Sequence, residues 1–380
     1  MPWQETTVMS SRREFVILAT VPGANVAQLS QRFGISRKTA YKWLERYREA
    51  GEDGLADQSR RPHGSPRRTS PEVEQAVLAV REAHPAWGGR KIRARLLADG
   101  SGHAPTASTI TAILARHERL DPEESSKHRA WKRFESEAPN QLWQIDFKGH
   151  FPLTEGGRCH PLTVLDDHSR YALGVRACSD ERRKTVQEEL SAIFRRYGMP
   201  ERLLVDNGPP WGAGGYERYT RLEVWLMRLG IAIRHAARQH PQTIGKDERF
   251  HRTLEAEVIR PCAFRDVQEA QAHFDPWREM YNHIRPHEAL AMAVPASRYQ
   301  ESPRLFPETL PAVEYDLGEI VRSVDERGRM VYGGQWFRVG KGLIGNRVAL
   351  RPSTEDGVID VYFCRQRISQ LDIRSRHTRA

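Results

Sequence analysis

The chain has 380 residues, with 59 Lys and Arg against 49 Asp and Glu, so its formal net charge is +10. A chain of this length is longer than one hydrophobic core usually supports, so we expect two to four domains. The basic balance favours a polyanionic partner such as nucleic acid. No apolar run approaches the roughly 20 residues that span a bilayer, and the first residues lack the apolar stretch of a signal peptide. We therefore expect a cytoplasmic protein without a membrane partner.

Residues 12–50 have the pattern of a helix-turn-helix module. Apolar residues recur at helical period in NVAQLSQRFG, and Gly34 ends that helix. Ser36 is a good N-cap for the next helix, whose start is basic. This second helix is predicted to enter a major groove, with DNA contacts from Arg37, Lys38, Thr39 and Lys42. A generic pair of amphipathic helices is the alternative.

Residues 57–70 form a linker, because Pro, Gly and Ser forbid a long helix there. The linker carries four arginines that could lie along phosphates or in a minor groove: Arg60, Arg61, Arg67 and Arg68. A solvated tether explains them equally well. Residues 71–120 repeat the helical theme and predict a second helix-turn-helix module, with Ser108 and Thr109 near its DNA-reading edge.

The character of the chain changes after a polar linker at 121–139. Short β-rich segments then alternate with helices, which predicts a layered α/β domain with trailing helices over 140–302. Short strands with turn signals at 313–375 predict a small C-terminal β-barrel. The fold class is therefore multidomain, α and α/β, with a helix-turn-helix domain over 1–56 and a second over 71–120.

Three acidic residues have unusual surroundings. Asp146 interrupts a strand built for burial, where an acid costs stability unless it is paired or metal-bound. Asp206 follows the apolar strand RLLV, and α/β sheets place ligands at the carboxyl ends of strands. Glu248 lies early in a helix whose predicted buried face is Phe250, Leu254 and Val258.

The three acids are 60 and 42 residues apart, so only the fold can bring them together. Converging carboxylates would suit Mg²⁺ or Mn²⁺, and two ions roughly 4 Å apart can promote phosphodiester chemistry. Asp247 competes with Glu248, because adjacent helical positions point about 100° apart. A turn-forming Asp206 and a helix-dipole role for Glu248 are the structural alternatives. The residues alone leave the third ligand open.

Four motifs occur in order: WQID at 143–146, LDDHSR at 165–170, DNG at 206–208 and HPQTIGKDERFHRTL at 240–254. Together they resemble the DDE insertion-sequence transposases related to retroviral integrases, and WLMRLGI at 225–231 is similar to one branch. The resemblance covers about 140–255 and implies an RNase H-like catalytic core. It implies that Glu248, not Asp247, is the third ligand. Two departures, Ile244 and the 42-residue gap, remove no ligand.

The resemblance also implies a reaction. It is metal-dependent 3′-end cleavage at the terminal inverted repeats of an insertion sequence, followed by strand transfer into target DNA. Two Mg²⁺ or Mn²⁺ ions per site are implied, held by the catalytic residues Asp146, Asp206 and Glu248. The implied partners are double-stranded DNA and further copies of the chain in a synaptic complex, associated with a bacterial nucleoid.

Several side chains near these motifs receive further interpretations. Phosphate contacts are predicted from Lys246, Arg249 and Arg252, with a solvated basic face as the alternative. His240 and Gln242 are expected to border the DNA. The LDDHSR acids and Arg170 are expected to fix a strand turn. Trp336 of the tail is expected in a core, and a DNA contact by Trp336 and Arg338 is the alternative. Two other functions fit the sequence: a DNA-binding regulator with a silent core, and a nuclease that cuts without joining.

Overall fold

A computed structural model describes residues 7–57, 69–100, 104–120, 135–212, 219–236, 245–374 and 377–379. The chain divides into two compact units, Met1–Arg68 and Thr69–Ala380. The first unit contains α1 (Val8–Thr20), α2 (Val26–Arg32) and α3 (Arg37–Ala50), followed by a 3-10 turn at Gly51–Leu55. Ser36 caps α3 by accepting a hydrogen bond from the Thr39 main-chain N–H at 3.1 Å. The helices therefore lie where the sequence predicts them.

The core of this first unit uses the apolar face that periodicity indicates on α3. Ala40, Trp43 and Leu44 are buried against residues of α1. Gly34 has a positive φ of 66° directly after α2, a backbone conformation that glycine adopts without steric cost. The sharp turn between α2 and α3 follows from that residue.

The second unit begins with three more helices, α4 (Pro71–Ala83), α5 (Gly89–Ala98) and α6 (Ala107–Arg116). They bury a shared apolar cluster that includes Trp87, Ile92 and Ile110. A Cβ at Gly89 would lie 2.5 Å from the Ala107 carbonyl oxygen, so the close crossing of α5 and α6 requires glycine. The predicted second helical module is present.

A mixed sheet forms the centre of the second unit. Its strands are β1 (Trp143–Phe147), β2 (Phe151–Pro152), β3 (Arg158–Asp166), β4 (Ala172–Cys178), β5 (Arg202–Val205) and β6 (Ala232–His235). The order is β4-β3-β1-β5-β6, with β2 pairing the start of β3. Strand β3 is antiparallel to β1 and β4, whereas β1, β5 and β6 are parallel.

Helices cover both faces of this sheet. On one side lie α7 (Arg183–Tyr197) and α8 (Arg221–Arg228), and on the other lie α9 (Gly245–Leu254) and α10 (Val267–His283). A π-helical turn at Glu255–Ile259 continues α9. Along β1, Trp143 and Ile145 join the α7–α8 cluster. Because side chains alternate along a strand, Asp146 is directed to the α9 side.

Helix α8 is shared between two cores. Leu222, Trp225 and Leu226 pack into the cluster beneath the central sheet. Val224 and Met227 instead join the apolar cluster of the C-terminal strands. A helix that is buried on both sides is unusual at a domain border, and it ties the C-terminal part to the core.

The C-terminal strands form open sheets, so the predicted β-barrel is wrong. A five-stranded sheet runs in the order β13-β12-β11-β10-β7, and β8 and β9 form a separate hairpin. The strands are β7 (Ile320–Ser323), β8 (Arg329–Tyr332), β9 (Gln335–Arg338), β10 (Arg347–Pro352), β11 (Val358–Phe363), β12 (Gln366–Asp372) and β13 (His377–Arg379). The apolar residues of the sheet are buried with Met330 and Phe337 of the hairpin and with α8. Closure into a barrel is therefore not needed to bury them.

One side chain of the hairpin differs from its predicted position. Trp336 was expected in a core, but it is 57% exposed, and the guanidinium of Arg329 lies 4.4 Å from its ring centroid. Its neighbour Phe337 is buried. Alternation along β9 allows only one of these two adjacent aromatic residues to face the core.

Candidate metal site and its surroundings

The two aspartates lie level with each other at the ends of neighbouring strands. Strands β1 and β5 are parallel, with Trp143 opposite Leu203 and Gln144 opposite Leu204. Two further residues along each strand lead to Asp146 and Asp206. The expected convergence of these two carboxylates at one sheet edge is thus present in the structure.

The pair is electrostatically strained. Burial raises the pKa of Asp146 to about 6, and repulsion from the Asp206 carboxylate adds to the effect. Burial also raises the pKa of Asp206, although a hydrogen bond from the Gly208 main chain lowers it. The Asp206 Oδ1 atom is buried and has no hydrogen-bond partner. A cation bound by the Asp146 and Asp206 carboxylates would reduce the repulsion between them and would give the unpartnered Asp206 Oδ1 atom a partner.

A fourth acidic residue, Glu181, acts on Asp146 and Asp206 and was not identified from the sequence. Glu181 precedes α7 and raises the pKa of both Asp146 and Asp206. Its Oε1 atom lies 2.8 Å from Nδ1 of His160. No motif or periodicity marks Glu181, because its proximity depends on how the α7 entry folds over the sheet edge.

The acid of α9 that lies near Asp146 differs from the one that the resemblance implies. Asp247 is 3% exposed, and its Oδ1 atom has no hydrogen-bond partner. Burial, followed by repulsion from Asp146 and Asp167, raises the pKa of Asp247 well above its usual value. Glu248 is exposed. The structure therefore brings Asp247 into the field of Asp146, and the assignment of Glu248 as third ligand stays a prediction.

These acids do not yet form a complete metal site. Within the described part of the chain, no group of three or more His, Cys, Asp or Glu side chains is arranged to hold an ion. The donor chemistry fits a hard divalent cation, since carboxylate oxygens are what Mg²⁺ and Mn²⁺ prefer. The two strand-end aspartates would be its fixed ligands, and α9 would supply the third.

Lys246 has a position that differs from its predicted role. Its side chain is 15% exposed and its ammonium forms a buried ion pair with Asp167. The Asp167 carboxylate is fully buried and also accepts hydrogen bonds from Ser136 N at 2.7 Å and Gln144 Nε2 at 2.6 Å. Burial would raise the pKa of Asp167, but Lys246 and the Ser136 N–H together hold it below its usual value. In this structure Lys246 fastens α9 to the core instead of facing a phosphate.

The LDDHSR segment fixes a turn, as the sequence indicates. Asp166 accepts hydrogen bonds from the main-chain N–H groups of Asn140 and Ser169 at 2.8 and 2.7 Å. Arg170 adopts a positive φ of 64° within this turn. The buried carboxylates therefore organise the loop that receives Lys246.

A second polar link joins α9 to β1. Thr163 Oγ1 donates a hydrogen bond to the Asp146 carbonyl oxygen at 3.0 Å. The single hydroxyl proton is thereby used, so Nε2 of His251, 2.8 Å away, is the donor to Thr163. Burial, with the nearby Lys148, lowers the pKa of His251 to about 4, so the ring is neutral near pH 7. This link holds the backbone of Asp146 against α9.

The predicted DNA contacts are distributed over several surfaces. Arg37, Lys38 and Lys42 are exposed on α3, whereas the Thr39 hydroxyl lies 2.9 Å from that of Ser36 within the cap. Ser108 is exposed and Thr109 is partly exposed, and both hydroxyls lie within 2.9 Å of Thr106 Oγ1. Arg249 and Arg252 are exposed on α9. The predicted contacts at Arg60, Arg61, Arg67, Arg68, His240 and Gln242 lie outside the described residues.

Models of known families match most of this architecture. Residues 136–241 and 229–295 each match an integrase core domain. Residues 319–379 match the C-terminal domain of IS481 family transposases. The chain therefore carries an integrase core and a C-terminal domain of the kind found in IS481 family transposases. A helix-turn-helix domain matches at 12–63 and a homeodomain-like domain at 39–114, which confirms the N-terminal helix-turn-helix prediction.

Individual similar proteins match limited stretches of the chain. An IS407 protein of 31.7 kDa from Burkholderia multivorans is 28% identical over 159 residues, which are 42% of this chain and 55% of that protein. An IS136 protein from Agrobacterium fabrum is 40% identical over 92 residues, 24% of this chain and 44% of that protein. The chain thus spans about half the length of these relatives.

Solved structures give weaker likenesses. The intasome of simian T-cell lymphotropic virus, in complex with a phosphatase regulatory subunit, aligns with 16% identity and a TM-score of 0.37, covering 77% of this chain and 98% of that one. The HTLV-2 integrase catalytic core with magnesium aligns with 15% identity and a TM-score of 0.34, covering 44% and 100%. Neither superposition is close enough to bear on function. No helix in the described ranges is both long and apolar enough to cross a membrane.

Proposed function

We propose that the chain binds the terminal inverted repeats of an insertion sequence and catalyses metal-dependent 3′-end cleavage and strand transfer into target DNA. The observation that carries the proposal is the level pair of carboxylates, Asp146 and Asp206, on adjacent parallel strands. Their mutual repulsion and the orphaned Asp206 oxygen mark a site that favours a dication. The integrase core domain, which spans both residues, supports the same reaction class.

The metal would be Mg²⁺ or Mn²⁺, two ions per site, held by Asp146, Asp206 and an acid of α9. Such ions activate an attacking oxygen and stabilise the leaving oxygen of a phosphodiester. Glu248 is our proposed third ligand on the basis of the family motif. Asp247 is the rival that burial and charge favour.

The chain's own residues orient the two aspartates. Thr163 and His251 hold the main chain of Asp146. On the other strand, His235 Nδ1 lies 2.9 Å from the Asp206 carbonyl oxygen and Nε2 lies 2.8 Å from buried Glu223. The hydrogen bond to Glu223 raises the pKa of His235, which favours an imidazolium that donates at both nitrogens. A histidine thereby holds the main chain of each aspartate, through Thr163 in one case and directly in the other.

The partners in this proposal are double-stranded DNA, as element ends and as target, and further copies of the chain in a synaptic complex. The helix-turn-helix domains would read the element ends, with Arg37, Lys38 and Lys42 of α3 as the exposed candidates. The net charge of +10 suits such a polyanion. A protein acting on bacterial DNA would be cytoplasmic and associated with the nucleoid.

The test uses the full chain, MgCl₂, a labelled duplex carrying the element end and a target plasmid. Wild type should nick at the 3′ end and join that end to the plasmid. Asp146→Asn and Asp206→Asn should each lose both products while still binding the duplex. Asp356→Asn, on an exposed turn of the C-terminal sheet, is the matched control and should keep both.

Each result separates the proposed reaction from its rivals. Nicking without joined plasmid would indicate a nuclease. Duplex binding without any nick would indicate a regulator with a silent core. If Asp146→Asn leaves strand transfer unchanged, the carboxylate pair is not the active site.

A further inference from the structure

The segment that leads into α7 starts at the sheet edge where the two aspartates lie. Strand β3 runs antiparallel to β1, and directly after β1 the Lys148 N–H donates a hydrogen bond to the Pro161 carbonyl oxygen at 2.9 Å. The first residues of β3 therefore lie beside the carboxyl end of β1. Strand β4 ends at this edge as well, because Cys178 pairs with His160. Residues 179–182, which join β4 to α7, thus begin at the edge that carries the candidate metal site.

Glu181 is held in this connection by contacts of its neighbours and of its own side chain. Asp180 accepts hydrogen bonds from the Arg182 main-chain N–H at 2.9 Å and from the Thr185 hydroxyl at 2.6 Å. The Oε1 atom of Glu181 lies 2.8 Å from Nδ1 of His160 on β3. Because a carboxylate only accepts hydrogen bonds, the imidazole N–H is the donor. The Glu181 carboxylate is therefore fixed between the start of α7 and the start of β3.

The negative charge of Glu181 acts on both aspartates of the candidate site. Burial raises the pKa of Asp146 and of Asp206, and repulsion from Glu181 raises each of them further. The Oδ1 atom of Asp206 is buried without a hydrogen-bond partner. A further acid beside two carboxylates that repel each other is unfavourable by itself, and it becomes favourable when the pair binds a dication.

Glu181 is placed to act on such a cation from outside its ligand shell. Within the described part of the chain, no three His, Cys, Asp or Glu side chains are arranged to hold one ion. The Glu181 carboxylate is bonded to His160, and its side chain is 38% exposed, so it lies at the solvent side of the site. The attraction between a unit charge and a dication extends over several Å without contact.

We propose that Glu181, held by His160, is a positioning residue whose charge strengthens the binding of a divalent cation to Asp146 and Asp206. The proposal rests on the metal site of the proposed function and adds to it a residue outside the family motifs. Because the two aspartates remain the ligands, loss of the Glu181 charge should weaken metal binding without abolishing it. His160 sets only the position of that charge, so its loss should have a smaller effect in the same direction.

The experiment measures binding of Mn²⁺ to the full chain, from the electron paramagnetic resonance signal of the free ion, at low and at high KCl. Glu181→Gln should weaken the affinity about fivefold at low KCl, and less at high KCl because salt screens charges that are not in contact. Glu181→Asp keeps the charge and should retain most of the affinity. Glu188→Gln removes an exposed acid of the same helix and should change nothing. Asp146→Asn should lose binding at both salt concentrations.

Two further measurements separate this role from a structural one. In thermal melts with EDTA, Glu181→Gln should not lower the melting temperature, because it removes a charge that repels Asp146 and Asp206. A residue that the fold requires would lower it. In the strand-transfer assay, the Mg²⁺ concentration that gives half-maximal joining should rise about fivefold, while the rate at saturating Mg²⁺ stays near that of wild type.

The outcomes distinguish this proposal from the proposed function. If Glu181→Gln binds Mn²⁺ like wild type while Asp146→Asn does not bind it, Glu181 has no part in the site and the carboxylate pair stands. If the loss in Glu181→Gln is equal at both KCl concentrations and Glu181→Asp does not restore it, Glu181 is a direct ligand. A lowered melting temperature in EDTA would make it a structural residue, and either result overturns the proposal. If wild type shows no Mn²⁺ binding that depends on Asp146, the metal site of the proposed function fails as well.

Discussion

Replacing Lys246 with Met tests whether this residue fastens α9 or contacts DNA. The substitution leaves the Asp167 carboxylate fully buried without its cation. Breaking a buried ion pair from one side costs about 3–5 kcal/mol. Two hydrogen bonds to Asp167, from Ser136 and Gln144, remain and place the expected loss near the lower limit, about 3 kcal/mol. Against a typical stability of about 5–15 kcal/mol, this is a large fraction.

Urea denaturation followed by tryptophan fluorescence measures the change in the free energy of unfolding. Because Trp143 and Trp225 lie in the core of the second unit, the signal reports on the affected part. Lys246→Met combined with Asp167→Asn should recover most of the loss, giving a coupling energy of about 2 kcal/mol in the double-mutant cycle. Arg252→Met, exposed on the same helix, should stay within about 0.5 kcal/mol of wild type.

The opposite pattern would refute this reasoning. If Lys246→Met loses less than about 1 kcal/mol of stability but lowers the salt slope of DNA binding, its ammonium faces a phosphate, as the sequence predicts. The ion pair with Asp167 would then not be what holds the start of α9. Arg252→Met provides the comparison, since loss of DNA affinity with unchanged stability is the behaviour expected of a true phosphate contact.

The two remaining predictions concern the third ligand and acid stability. In the strand-transfer assay, Glu248→Gln should abolish joining while Asp247→Asn keeps most of it; the reverse result would assign the ligand to the acid that lies in the field of Asp146. Because the pKa of His287 is lowered to about 2 in the folded chain, the unfolded chain binds the extra proton below about pH 6.5. Wild type should therefore lose about 1 kcal/mol or more per pH unit on acidification towards pH 5, and His287→Gln should flatten this loss in thermal melts measured at several pH values. An unchanged slope would show that burial and the neighbouring cations do not suppress protonation of His287; the cations are Arg285, Lys91, Arg170 and Arg249.

Local patterns predicted the elements that carry the site. The alternation in WQIDF places Trp143 and Ile145 in one core and Asp146 on the other face, as observed. The apolar run RLLV followed by Asp206 predicted a strand that ends in an acid, and β5 has that form. Such features could be read from the sequence because strand geometry alone decides which face a residue occupies.

Contacts between residues far apart in the chain determine how α9 is oriented and how the C-terminal strands are covered, and neither could be read from the sequence alone. The rotation of α9 about its axis is set by the burial of Phe250 and Leu254 and by the buried ion pair of Lys246 with Asp167, 79 residues away. That rotation directs Asp247 inward and leaves Glu248 exposed. The C-terminal strands were recognisable, but whether their edges pair into a barrel depends on what else covers the apolar face. In this chain, α8 and the β8–β9 hairpin cover it.

Shared burial of α8 limits how this chain can be divided or recombined. Val224 and Met227 belong to the core of the C-terminal sheet although they lie about a hundred residues before it. The tail therefore has no complete hydrophobic core without a helix from the central domain. A new C-terminal sheet acquired by recombination would therefore have to arrive with a matching α8. At this end of the protein, the segment that can fold as a unit begins earlier than the domain border that the sequence indicates, because it includes α8.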